Sequence, residues 1–276
     1  MFSVTLVGTP HLSAASLALA SEKVGGTGER WLVDDRVARF ETVRADLSEL
    51  EDALPDVDVF VRANDAPQPK LFVADMDSTM ITVECIDELA DYAGLKAEVQ
   101  AVTEAAMRGE LDFEAALRER VALLKGLPET TLADCLRERV TYTPGAKDLI
   151  AHLSKLGVRT ILVSGGFTAF AAPVGTALGF DRVVANILEI ADGRLTGGLA
   201  GPVVDAETKR RVLLEEASSL GIETDEVIAI GDGANDIEMV RAAGFGIAYR
   251  AKPALAEVAD ARIRNGDLSV LIAALQ

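Results

Sequence analysis

The chain has 276 residues, 49% of them hydrophobic, which is enough for one large domain or two modest ones with a sizeable core. Its formal net charge of −17 excludes a general grip on nucleic acid or on an anionic membrane, since both would repel it at long range. An anionic small molecule is not excluded, because a metal ion and a few placed cations can reverse the local field inside a cleft.

The alternation of apolar and polar residues predicts strands at 4–7, 29–33, 37–43 and 57–62 and helices at 11–24 and 47–54. That order, βαββαβ, predicts a ferredoxin-like unit in which both helices cross one face of a four-stranded antiparallel sheet. The layout resembles the small ACT-type regulatory domains of amino-acid-metabolising enzymes, although no residue identifies an effector site. His11 reads as a partly exposed loop residue at a helix start. Residues 64–69 contain Pro67 and Pro69 and have the composition of a linker, so the expected division is 1–63, 64–69 and 70–276.

The apolar run Leu71-Phe72-Val73-Ala74 reads as a buried strand that ends on two carboxylates, Asp75 and Asp77. In an open parallel α/β sheet ligands bind at the carboxyl ends of strands, so these acids are placed for chemistry. A helical stretch over 83–140 follows and reads as an insertion into the α/β domain. Within it Asp112 is an expected N-cap for a helix over 113–124. Phe113, Leu117, Arg120, Val121 and Leu124 share one stripe of that helix, which places an arginine on an apolar face. Such a guanidinium needs an anion, either a neighbouring glutamate or a ligand.

Beyond residue 144 the alternation becomes regular. A helix over 146–156 and a strand over 158–163 lead to Ser164-Gly165-Gly166, expected as a turn before a helix over 167–178. The free N–H groups at such a helix start and the Ser164 hydroxyl suit a phosphate. The uncharged stretch 160–180 is interrupted by glycines and Pro173, so it reads as strand, turn and helix and not as a membrane span. Strands over 183–190 and 194–199 form a hairpin around Asp192-Gly193. Asp205 caps a helix to Leu220 that carries Lys209 in its first two turns. The strand 227–230 then ends on Gly231-Asp232-Gly233-Ala234-Asn235-Asp236, where glycines allow close approach and Asp232 and Asp236 can face one cation. A strand over 245–248, a helix from Pro253 and a closing helix over 267–275 complete the reading. Cys85 and Cys135 lack metal-ligand spacing and fit a reducing compartment, and the start lacks a secretory signal, so a cytoplasmic location is expected.

Four stretches stand in one order: Asp75-Met76-Asp77-Ser78-Thr79, Ser164-Gly165-Gly166, Lys209 and Gly231-Asp232-Gly233-Ala234-Asn235-Asp236. Together they resemble the haloacid dehalogenase superfamily of phosphotransferases, over residue 70 to the C-terminus, and within it the branch that hydrolyses phosphoserine. The insertion resembles that branch's helical cap, including Ala106-Met107-Arg108-Gly109-Glu110. The resemblance implies a Rossmann-like α/β core with a parallel sheet and a small helical cap. It implies Asp75 as nucleophile and Asp77 as acid and base. Asp75, Asp232 and the carbonyl of Asp77 would hold Mg2+, supported by Asp236. Ser164, Gly165, Lys209 and Asn235 would bind the phosphoryl group. Arg120 would take the carboxylate of O-phospho-L-serine, Glu84 its ammonium, and Phe113 would shield the site. Another small phosphate ester as substrate, or a non-catalytic amino-acid-sensing role, are the alternatives. A homodimer is compatible with the N-terminal domain, but no residue there marks an interface.

Overall fold

Residues 71–74 alternate between two apolar environments, and this sets the layering. The computed structural model describes residues 1–45, 48–107, 110 and 112–275. In β5 (Leu71–Ala74), Phe72 and Ala74 pack into one buried cluster, while Leu71 and Val73 pack into another. A strand covered on both faces is the expected centre of a parallel sheet, because successive side chains point to opposite sides.

Ahead of it, β1 (Phe2–Gly8), α1 (Ala14–Val24), β2 (Thr27–Val33), β3 (Val37–Thr42), α2 (Ser48–Ala53) and β4 (Val57–Ala63) form an antiparallel sheet of order β2-β3-β1-β4. Both helices cover one face, where Leu17, Ala20, Val24 and Leu50 meet Val4, Leu6, Phe40 and Val59. Helix α1 begins three residues later than the expected 11–24, because the Ser13 hydroxyl accepts from Ser16 N and caps it there. Leu47 and, in the insertion, Arg108 and Gly109 lie outside the described residues.

The second sheet follows β5. The insertion supplies α3 (Cys85–Tyr92), α4 (Lys96–Met107), α5 (Phe113–Leu123) and α6 (Thr130–Arg139). Then come α7 (Ala146–Lys155), β6 (Arg159–Phe167), α8 (Thr168–Leu178), β7 (Arg182–Ala191), β8 (Arg194–Ala200), α9 (Ala206–Leu220), β9 (Val227–Gly231), α10 (Ile237–Ala242), β10 (Phe245–Tyr249), α11 (Pro253–Ala256), β11 (Ala261–Ile263) and α12 (Val270–Ala274). The strand order is β11-β10-β9-β5-β6-β7-β8, parallel except for the β7–β8 hairpin. The uncharged stretch 160–180 resolves into β6 and α8, and no helix among the described residues is long and apolar enough to cross a membrane.

Three expectations change. Ser164-Gly165-Gly166 is not a turn: β6 runs through it to Phe167, which pairs with Asn186 after an irregularity beyond Val163. Asn186 explains this, since its side chain donates to Gly165 O at 2.7 Å and accepts from Val204 N at 2.8 Å, holding the glycines extended. The closing helix is only Val270–Ala274, because the Asp267 carboxylate accepts from Ser269 N at 2.8 Å and delays the first turn. Strand β11 was not expected; three residues are too few for a periodic signal.

The insertion leaves and rejoins the core through a paired neck, in which Thr82 N donates to Thr141 O and Thr143 N to Met80 O, both at 3.0 Å. A second tether runs from the end of α5 to the hairpin: Gly126 N donates to Leu195 O at 2.8 Å and Leu195 N to Leu127 O at 2.9 Å.

The N-terminal sheet turns its second face to the core, burying Val7, Val37 and Phe60 in the same cluster as Val270, Leu271 and Leu275. A polar clamp completes the seam. Fully buried Asp58 accepts from Arg264 N at 2.8 Å, Asn265 N at 3.1 Å and Gly266 N at 2.7 Å. Replacing it strands three backbone donors, at roughly 1–3 kcal/mol for each one left buried. Asp58→Ala is therefore expected to lower stability by about 3 kcal/mol in urea unfolding; a change below about 0.5 kcal/mol would show that the clamp is not needed.

Candidate active site

The parallel sheet brings the ends of β5, β6, β9 and β10 to one edge, and every polar motif of the sequence arrives there. Ala74 pairs with Leu162 on one side and Ile230 on the other, so Asp75 and Asp232 emerge from neighbouring strands. Asp75 N still donates to Ile230 O at 3.0 Å, which fixes the departure of the chain. The chain then turns tightly through residues 76–80, with Ile81 N donating to Met76 O. Ser78 takes φ 55°, a left-handed conformation uncommon for a residue other than glycine. Its N–H donates to Val83 O, and its hydroxyl donates to Glu84 Oε1 at 2.8 Å, so the strain is held by local bonds that also position Glu84.

Behind the turn lies a fully buried cation. Lys209 Nζ stands 2.6 Å from Asp75 Oδ1 and 2.7 Å from Asp236 Oδ1. Burial disfavours the ammonium, but Asp236 and Asp75 outweigh it and hold its pKa above the ordinary lysine value. The other oxygen of Asp236 accepts from Asp232 N and Gly233 N, both at 3.1 Å. Gly231 permits this fold of the loop, since a Cβ there would stand 2.4 Å from the Asp236 carboxylate.

Asp77 is held by different partners. Its Oδ1 accepts from Cys85 N at 3.0 Å and its Oδ2 from the Ser164 hydroxyl at 3.2 Å. Burial, then the charge of Glu84, raise its pKa to about 6 against those hydrogen bonds. Burial, then Asp236 and Glu84, likewise raise Asp232 to about 6, and burial with Asp236 raises Asp75 despite Lys209. Gly166 N donates to Ser164 Oγ at 2.8 Å, so that hydroxyl is turned toward Asp77. A Cβ on Gly166 would lie 2.6 Å from Asp77 Oδ2, which explains a glycine at this place.

These groups surround a cavity of about 290 Å³. Asp75, Asp77, Glu84, Phe113, Arg120, Gly165, Asp232 and Asn235 line it; Ser164, Lys209 and Asp236 are fully buried behind its wall. Asp112 caps α5 as expected, its carboxylate accepting from Ala115 N at 2.8 Å. Arg120 donates Nε to Ala116 O at 3.2 Å, and among the described residues it makes no ion pair with a carboxylate. Burial lowers its pKa while Asp87 and Glu84 oppose that. Phe113 is 37% exposed at the mouth, facing Gly165. Lys252 also lines the cavity and was missed, although it follows the end of β10 on the same sheet edge, where its N–H donates to Asp232 O at 2.9 Å. Asn186, which sets the strand carrying Ser164, had no sequence signal because its partners are backbone atoms far along the chain.

Asp75, Asp232 and Asp236 present carboxylate oxygens within 4.8 Å of one another, a donor set suited to a divalent cation. Buried Asp75 Oδ1 has its ion pair to Lys209 but no hydrogen bond of acceptable geometry, leaving acceptor capacity for a cation. Both oxygens of Asp236 are engaged, so its part is to hold the others in place.

Comparison with known proteins gives concordant matches. Residues 72–241 match the family model of haloacid dehalogenase-like hydrolases. A phosphoserine phosphatase from Albidiferax ferrireducens is 46% identical over 212 residues, covering 75% of this chain and 90% of that protein. The unliganded structure of a probable phosphoserine phosphatase from Vibrio cholerae superposes with a TM-score of 0.83 at 37% identity, covering 99% of this chain and 86% of that one. A phosphoserine phosphatase solved as a phospho-aspartyl intermediate analogue gives a TM-score of 0.70 at 40% identity, covering 76% of this chain and 100% of that one.

The geometry makes a direct claim about cation binding. Calorimetric titration of the chain with Mg2+ is expected to show one site, weakened at least tenfold by Asp75→Asn and by Asp232→Asn. Equal affinity in the wild type and both variants would remove the acidic cluster as its location.

Proposed function

Because the chain belongs to the haloacid dehalogenase-like hydrolases, we propose that it is a phosphoserine phosphatase, releasing L-serine and phosphate from O-phospho-L-serine in the last step of serine synthesis. The observation that carries this reading is the cavity itself, lined by Asp75 and Asp77 and also by Glu84 and Arg120, which makes no ion pair among the described residues. One end suits a phosphoryl group and the other suits an amino acid.

A carboxylate oxygen of Asp75 attacks phosphorus as the bond from phosphorus to the serine oxygen breaks, leaving an aspartyl-phosphate. Asp75 needs no base to activate it once ionised, and Lys209 at 2.6 Å favours that form. Asp77 gives its proton to the departing serine oxygen. A carboxyl whose pKa stands near 6 is protonated often enough at neutral pH to do so, and its anion then takes a proton from the water that attacks the phosphoenzyme. That attack breaks the bond between phosphorus and Asp75 and restores the enzyme.

The N–H of Gly165 and Asn235 in the lining, with Ser164 and Lys209 from directly behind it, would orient the phosphoryl oxygens, which is the main requirement of phosphoryl transfer. Arg120 meets the substrate carboxylate with its planar fork of donors, and Glu84 meets the ammonium. Phe113 shields the site from water. Mg2+, held by Asp75, Asp232 and the Asp77 carbonyl with Asp236 in support, would neutralise phosphoryl charge. We further propose residues 1–63 as an ACT-like unit, 64–69 as a linker and 70–276 as the phosphatase domain in a cytoplasmic enzyme, on the βαββαβ order and its four-stranded sheet.

A phosphate-release panel tests the substrate. Phosphoserine is expected to be turned over in preference to sugar phosphates, and chelation of divalent cations to stop it; equal use of sugar phosphates would overturn the assignment. Arg120→Ala is expected to raise KM for phosphoserine by about a hundredfold, the worth of a charge-assisted pair of about 3 kcal/mol, while p-nitrophenyl phosphate hydrolysis changes little. A parallel loss on both esters would assign Arg120 a structural part. Asp75→Asn is expected to abolish turnover and the acid-stable phosphoenzyme trapped by quenching; residual phosphoenzyme would place the nucleophile elsewhere.

A further inference from the structure

A second cavity, of about 320 Å³, lies where the N-terminal sheet meets the end of α12. It shares no lining residue with the active-site cavity. The strand register builds it in two rungs. Arg30 stands opposite Arg39, Arg39 opposite Thr5, and Thr5 opposite Phe60. In the next rung Glu41 and Arg62 both stand opposite Ser3.

Like charges directly opposed on neighbouring strands are destabilising, so the Arg30–Arg39 pair is a cost that the fold retains. Acids are not scarce in a chain with 44 of them against 27 lysines and arginines. Yet among the described residues none of the three arginines makes an ion pair, and Glu41 is the one carboxylate of the lining. Two of the guanidiniums are held in position by neutral partners. Arg39 donates Nε to Thr5 Oγ1 at 2.9 Å and Nη2 to Ala273 O at 3.0 Å. Arg62 donates Nη2 to Pro67 O at 3.0 Å and stacks over the Phe245 ring at 5.5 Å. All three arginines line the cavity, and burial together with repulsion from Arg30 and Arg62 depresses the Arg39 pKa.

We propose that this cavity is a binding site for a small anion carrying two or more negative charges on carboxylate or phosphate groups. Among the described residues of the lining, three guanidiniums against one carboxylate leave two positive charges to be matched. Planar forks of donors suit oxyanions of either kind, and the Ser3 and Thr5 hydroxyls add neutral partners. Since the sheet forms one wall and α12 another, the bound anion also joins the two sheets' domains. This site is independent of the reaction assigned to the other cavity.

The test is calorimetric titration of the metal-free full chain with citrate and, separately, with pyrophosphate. One-to-one binding of either is expected, weakened at least tenfold in Arg30→Gln and in Arg30→Gln/Arg62→Gln and kept within twofold in Arg120→Ala, which removes a guanidinium from the lining of the other cavity. Citrate alone would identify a carboxylate ligand and pyrophosphate alone a phosphoryl ligand; each supports the site. Binding of neither at 10 mM, binding unchanged by the Arg30 and Arg62 substitutions, or binding lost in Arg120→Ala would overturn it. The Arg30 side chain is exposed and has no hydrogen-bond or ion-pair partner among the described residues, so Arg30→Gln reads the site without disturbing the fold.

Discussion

The buried ammonium of Lys209 is the interaction on which the active site depends. Four carboxylates, Asp75, Asp77, Asp232 and Asp236, crowd one sheet edge, and burial already raises three of them. At Asp75 the charge of Lys209 opposes that rise and favours the ionised nucleophile. Lys209 reaches Asp75 and Asp236 at once and so ties α9 to the ends of β5 and β9. Removing one partner of a buried ionic group of this kind costs about 3–5 kcal/mol, because the remaining charge is left uncompensated. The triad therefore defines the site's geometry more than it adds net stability. Asp77 stays outside the triad, bonded to the neutral donors Cys85 N and Ser164 Oγ, so two acids two residues apart are held by different partners.

The insertion imposes a second constraint. It is pinned at the neck by Thr82 and Thr143 and at the hairpin by Gly126 and Leu195, so α5 is held between two backbone tethers. Arg120 and Phe113 ride on that helix and face the catalytic edge. Sliding α5 away as a unit would break the backbone bonds of Gly126 and Leu127 to Leu195 at its end. Gly197 fits this close docking: it has φ 85°, and a Cβ there would stand 3.0 Å from Lys125 Cβ and 3.2 Å from Ala122 O. A larger residue in the hairpin would push α5, and with it Arg120, out of line.

Much of this was legible because each motif directly follows a short apolar strand. Leu71 to Ala74 and Val227 to Ile230 announce their carboxyl ends by a change from continuous apolar residues to Asp and Gly. The caps of α5 and α9 were equally readable, since Asp112 and Asp205 sit where an N-cap is needed. The extended path of Ser164-Gly165-Gly166 was not, because a pair of glycines signals a turn and only the distant Asn186 holds it straight. Arg120 was visible on its stripe, but whether it met a glutamate or open space depended on packing between helices. Lys252 follows β10 after an intervening Arg250-Ala251, and nothing local distinguishes it from a solvated lysine.

The N-terminal sheet shows how one register can divide a face between two tasks. With a side-chain period of two, Val7, Thr5 and Ser3 share a face of β1, Val37, Arg39 and Glu41 share it on β3, and Asp58, Phe60 and Arg62 on β4. Polarity rises along β1 and β3 in the same direction, while on β4 buried Asp58 stands at the apolar end. The apolar end is buried against the core and locked by Asp58, which leaves the charged end fixed in space but open. The clamp on Asp58 and the Ala273 carbonyl under Arg39 hold β4 and the Arg39 side chain against the second domain. The guanidinium of Arg39 is thus fixed by the same contacts that join the domains, and Arg62 beside it is held by Pro67 O, so an anion entering there would meet donors already in position.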